Sequence, residues 1–153
     1  VLIGAAGIIA FVVSGRRRPT EPWDHELARQ ASDVRWFGDS VTIAVADRTR
    51  APQEAATLWR SDLTAVLSTE QVLDRLAGTA PDPARAATAT RLSECTGSLR
   101  EAVDADLRLR LGDGAAGQDV LLTQSAQVIA ARRAELATAL AAVDATVAAT
   151  RHR

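Results

Sequence analysis

QDVLLTQSAQVIAARRAELATALAAVDATVAAT, residues 118–150, decides how the rest of the chain is read. Leu122, Ala126, Ile129, Arg133, Leu136, Leu140, Val143 and Val147 fall along it at alternating steps of four and three. That spacing gathers them on one face of a helix and repeats over heptads. Strand alternation has period two and would scatter the same residues over both faces of a sheet. No Gly or Pro interrupts the stretch. It predicts one long helix with an apolar seam and a single arginine, Arg133, in that seam. Three readings of Arg133 stand side by side: its stem snorkels outward beside Arg132, it pairs with an acid on a facing helix, or it marks a binding groove.

Working upstream, breaker residues cut the chain into pieces of similar length. Pro52 lies in RTRAPQ, Pro81 and Pro83 in GTAPDPA, and three glycines in GDGAAGQ. Helices are expected at about 22–47, 52–77, 83–111 and 118–150, with 151–153 as a tail. In the first, Leu27, Ala31, Val34, Val41 and Val45 keep helical steps if Gly38 covers the extra one. In the second, Ala55, Trp59, Leu63, Val66, Leu73 and Leu76 mark the face. The third has Asp82 as an N-cap and Pro83 as its first helical residue, a favoured pair. Gly112 is its expected C-terminal cap. Asp104–Arg108 and Asp106–Arg110 are i,i+4 pairs in the favourable order. SVTIAVA (40–46) and LRLRL (107–111) alternate like short strands, but such short alternation inside longer helical periods is outweighed. Short connections favour antiparallel neighbours. The fold expected is all-α: an N-terminal transmembrane helix followed by an antiparallel up-down-up-down four-helix bundle.

The transmembrane element is read from VLIGAAGIIAFVVSGRRRP, residues 1–19. Residues 1–15 carry no charge, and Arg16, Arg17 and Arg18 follow at once. A spanning helix needs about 20 apolar residues. The run falls short, so either residues precede Val1 or the span is marginal, and the absence of Met favours the former. A secretory signal would carry its charges before the apolar stretch. Here they follow it, as a flank that engages anionic lipid headgroups. Residues 16–21 are expected as a basic juxtamembrane linker, with Trp23 joining Arg16, Arg17 and Arg18 at the membrane interface. The positive-inside tendency then places the bundle in the cytoplasm, making this a single-pass protein of the cell membrane. The competing reading is a buried N-terminal core helix.

Composition agrees with close-packed helices. Hydrophobic residues make up 47% of the 153, but aromatics only 3%. A core of Ala, Leu and Val requires helices to approach closely. Beyond Arg18 the chain holds 15 arginines against 19 acids, a net charge of −4. A mildly acidic domain lacks the basic face that nucleic acid demands, so no nucleic-acid partner is expected. Cys95 is the single cysteine, which leaves no internal disulfide.

Three stretches imitate chemistry. WFGDSVT (36–42) resembles the nucleophile block of GDSL-type hydrolases, which would make Ser40 the nucleophile. That family also needs an oxyanion-hole Asn and an Asp and His three residues apart near the C-terminus. The chain has no Asn, and the residue three before His152 is Ala149. A serine without a base is inert. GDGAAG (112–117) fits the glycine pattern of dinucleotide-binding turns, with Glu135 at about the right distance. Glu135 lies inside the helical heptads and not at a strand end, so no βαβ unit can be assembled. WDHE (23–26) gathers Asp24, His25 and Glu26, but adjacent helical residues point to different faces. Glu21 and His25 are only two ligands. No cofactor and no metal are expected. Cys95 reads as a small core residue.

WDHELARQASDVRWFGDS, together with Trp59, resembles uncharacterised actinobacterial proteins with one N-terminal span, a basic flank and a helical cytoplasmic part. Trp23, Asp24, Glu26, Leu27, Trp36, Phe37 and Trp59 carry the resemblance, over about the first third of the chain. It implies topology and no activity. The expected function is a membrane-tethered structural or protein-interaction module without catalysis. Lipid would be its partner through the N-terminal helix, and an unknown protein or a second copy its partner through the seam of Leu122, Ile129, Arg133, Leu136 and Leu140. A lipid- or ligand-binding helical sensor is one alternative, a Ser40 hydrolase another, and a reversed topology with the bundle outside the cell a further one.

Overall fold

The computed structural model describes residues 20–112 and 117–151. The apolar run, Arg16, Arg17 and Arg18 lie outside the described residues, as do 113–116 and 152–153. Four helical rods follow. The first, α1, is built of Thr20–Trp36, a π-helical turn Phe37–Val41 and Thr42–Ala46. Then come α2 (Pro52–Thr79), α3 (Pro83–Leu111) and α4 (Gln118–Arg151). No strand occurs among the described residues, and both alternating stretches are helical. No described helix is long and apolar enough to cross a membrane.

The breakers act as expected at α3. Asp82 accepts from the backbone N–H of Arg85 and Pro83 opens the helix. Gly112 caps its end as expected, its N–H donating to the Arg108 carbonyl, with an extended backbone at φ −71° in place of a left-handed one. Among the described glycines Gly117 has a positive φ, at 90°. The Gly117 carbonyl accepts from Val120 and Leu121 and so starts α4. At the other end of the chain, Thr20 and Glu21, within the stretch expected as a linker, are helical.

Neighbouring helices run antiparallel and close into a ring. The Trp23 indole N–H donates to the Leu76 carbonyl at 3.0 Å, joining the start of α1 to the end of α2. Ser93 donates to Asp74, and Trp59 to Asp104, in opposite order along α2 and α3. Gln118 reaches the Leu109 carbonyl, while Thr88 and Thr146 meet at the far ends of α3 and α4. Arg35–Asp144 and Arg133–Gly38 return α4 to α1. Inside the ring, Leu27, Val34, Leu73, Leu92 and Leu99 are fully buried. So are Ala31, Ala55 and Ala89, whose small side chains let the rods approach. Phe37 stacks on Trp59 with ring centroids 6.0 Å apart.

Both poles are tied by buried ion pairs. At the first, Arg85 donates to both carboxylate oxygens of Asp24 (2.7 and 2.9 Å) and to Thr150, and Thr150 donates to Asp24. Asp24 in turn pushes the Arg85 pKa up, so the guanidinium stays charged. At the second, Arg110 donates to the carbonyls of Val45, Asp47 and Arg50, closing the end of α1 and the following turn. The Val45 carbonyl is among those that a helix end leaves to outside partners. Arg48 reaches the buried Asp106 at 2.6 Å and the Leu122 carbonyl at 3.1 Å.

Candidate protein-docking groove

The α1–α4 junction differs from the other three. It is built around the π turn, in which the Thr42 N–H bonds to Phe37 five residues back. Such turns insert one residue into a helix and free a carbonyl from its usual partner. Here the Gly38 carbonyl accepts from Arg133 Nε at 3.0 Å, and Arg133 Nη2 stands 3.5 Å from Asp39. The two rods also pack tightly at Gly38: a Cβ there would lie 3.1 Å from the Leu136 side chain. The extra step in the α1 pattern is thus the site of the π turn.

A cleft of about 450 Å³ runs along this junction between Arg133–Asp39 and Arg35–Asp144. Ala130, Ala134, Ala137 and Ala141 of α4 line it, and all four are exposed. Arg35 and Asp144 pair at 2.5 Å across the upper rim. Beyond Arg133 a second cleft of about 400 Å³ continues between Ile43 and Ala126. Ile43 is 52% exposed. Thr42 lines this cleft, and its buried hydroxyl has no partner among the described residues. The first cleft is shallow, small-sided and rimmed by two cations and two anions.

The seam expected to meet a partner turns inward instead. Ile129, Leu136 and Leu140 are buried in the bundle, and Leu122 is half-buried. The apolar side chains of that seam complete the core, because α1 and α3 flank it on both sides. Arg133 reaches the groove and takes an acid of the facing helix, while Arg132 pairs separately with Glu135. Trp23, expected at a membrane interface, is buried at 7% exposure. Its ring fills the first turn of the core, and its N–H is used by the α2 terminus.

The imitations of chemistry resolve. Ser40 sits exposed in the π turn. Leu111, before GDGAAG, ends a helix and not a strand, and residues 113–116 of that motif lie outside the described residues. Within WDHE, Asp24 is buried in its pair with Arg85, Glu26 binds Arg29 and Gln30, and His25 is exposed. Among the described residues no cluster could hold a metal ion. Cys95 is buried, and burial pushes its thiol pKa up. Of the two expected ladder pairs on α3, Asp106–Arg110 closes only to 3.9 Å. Asp104 turns to Trp59 and Arg100. Sequence reasoning missed Arg35, Asp39, Gly38 and Asp144 as one group. The only signal was the i,i+4 charge pair Arg35–Asp39. Compared with known proteins, the chain matches no family model and is not significantly similar to any curated protein or solved structure.

Proposed function

We propose that the chain is a membrane-tethered helical protein-interaction module, with no catalytic role. The α1–α4 groove is the observation that carries this reading. Bundle surfaces normally cover such a junction with long side chains; here exposed alanines leave backbone within reach of another helix. Small-sided faces rimmed by charges suit an incoming helix, which needs close approach along a stripe and polar groups at its edges. In this reading the apolar run and Arg16, Arg17 and Arg18 engage lipid and hold the bundle on the cytoplasmic side of the cell membrane.

A photo-crosslinking residue placed at Ala134 tests the docking half in living cells. The expected result is a discrete protein adduct, absent when the probe is moved to Glu101 on the opposite side. No adduct from Ala134 or Ala130 would sink the reading. Removal of residues 1–18 tests the tether: the protein should leave the membrane fraction. Retention in the membrane would refute that half.

A second reading rests on the Thr42 hydroxyl. A buried donor without a partner among the described residues, at the side of a 400 Å³ cleft of mixed lining, suits a small ligand bearing an acceptor. Thermal stabilisation of the bundle by such a ligand, lost in Thr42→Val, would favour it.

A further inference from the structure

We infer that the partner docking in the α1–α4 groove is a second copy of this chain, its α4 lying antiparallel to the first. The inference rests on the interaction-module reading and names its partner.

The register of charges and small residues along α4 points to a second copy. On α4, Arg133 and Asp144 are equidistant from a point between Thr138 and Ala139. The exposed pairs Ala137–Ala141 and Ala134–Ala145 are centred within one residue of that same point. A twofold axis there brings Arg133 against the partner's Asp144, and small residues against small residues along the whole stripe. On α1, Arg35 and Asp39 are centred on Phe37. That residue lies at the level of the same point, because Arg35 pairs with Asp144 and Gly38 with Arg133. Charge centres on two different helices therefore share one axis.

The charges then alternate. Asp144 holds Arg35 of its own copy on one side and the partner's Arg133 on the other. Arg133 holds Asp39 and the partner's Asp144. No like charges meet. A parallel pairing of the same faces would press Arg133 against Arg133, which is unfavourable. The rim also argues against a lipid surface as occupant. Two anions offset its two cations, whereas anionic headgroups attract clusters of one sign. A twofold interface is self-complementary by necessity, and this face meets that condition in both its small residues and its charges.

Charge reversal on the full chain in mild detergent tests this. Arg133→Glu alone sets a carboxylate against the partner's Asp144 twice. Asp144→Arg alone sets arginine against arginine twice. Mixed, the two variants restore both cross-copy pairs in a heterodimer. The expected result is a dimeric wild type by sedimentation, two monomeric variants, and a dimer on mixing. Circular dichroism confirms that each variant keeps its helices. As a second measurement, an Ala137→Cys, Ala141→Cys chain should oxidise to a covalent dimer, and a Glu101→Cys chain should not. A monomeric wild type that fails to cross-link, or variants that dimerise as well as wild type, would overturn the second-copy inference. An Ala134 adduct with a protein of another mass would also overturn it while leaving the interaction module standing. No adduct at all would take both down.

Discussion

The α2–α3 seam and the α1–α4 seam are made from the same kinds of residue, yet one is closed and the other left open. Between α2 and α3, long polar side chains are half-buried and paired across the helices: Arg100 with Glu70 at 2.8 Å, Ser93 with Asp74 at 2.6 Å. Trp59 adds an aromatic ring and donates to Asp104. Between α1 and α4 the contact is made by Gly38 against Leu136, alanines occupy the surface, and the ion pairs stand at the rim. Arg100 and Glu70 are 20% and 17% exposed, whereas Asp39 and Asp144 are 74% and 65% exposed. Charges at the second seam are therefore hydrated and available to a newcomer, and those at the first are already spent on the fold.

The contrast breaks most visibly if large changes in the closed half prove harmless. Leu99 is fully buried, so Leu99→Ala should cost about 3 kcal/mol in urea unfolding, from lost transfer energy plus a cavity. A loss below about 1 kcal/mol would mean the closed half is loosely packed. Gly38→Leu comes next. A side chain there meets the buried Leu136, and overpacking of this kind costs about 2 kcal/mol. Because Gly38 packs directly against Leu136 of α4, the same change should also widen the groove and abolish covalent dimer formation through Ala137→Cys, Ala141→Cys.

Asp82 offers a pH-resolved comparison at the entrance of the closed half. The Arg85 backbone N–H, and then its guanidinium, hold the Asp82 carboxyl below its ordinary range. A depressed folded pKa means the contribution is complete above the unfolded value of about 3.9 and is lost as pH falls through the folded value. Asp82→Ala should cost about 1 kcal/mol at neutral pH, as lost N-caps do. Unfolding curves of variant and parent should converge in acid. Curves that stay apart below the folded pKa would assign the loss to something other than the carboxylate. The smallest expected effect is Ala137→Arg. Ala137 is exposed, so monomer stability should change by no more than about 0.5 kcal/mol, while self-association is lost. A large fall in stability would show that the open seam supports the fold after all.

Much of the architecture is legible in the chain because local chemistry decides it. Asp82-Pro83 starts α3 at the expected residue, and the heptads of α4 show which side enters the core. Those signals lie within a few residues of each other. The misreadings involve partners far away in sequence. Trp23 reads as interfacial until its N–H meets the Leu76 carbonyl, 53 residues on. Asp104 belongs to a local ladder until Trp59 takes it. The seam of Leu122, Ile129, Leu136 and Leu140 could serve a partner or the bundle, since both uses demand the same spacing. What separates them is whether α1 reaches α4, which it does at Gly38, Arg35–Asp144 and Asp24–Thr150, all contacts far apart in sequence. The groove itself is written in residues that carry no pattern, because exposed alanines look like ordinary helix formers.

The latch of Asp24, Arg85 and Thr150 joins the first turn of α1 to the last turn of α4. As a result the order of the helices along the chain is one of several equivalent ways to thread the same ring. A short linker from Arg151 to Thr20, with new ends opened between α3 and α4, would preserve every pair of neighbours. Only the distance along the chain between them would change. In such a rearranged chain the α1–α4 contact becomes local and forms early, while the α3–α4 contact becomes the one that must close over the longest loop.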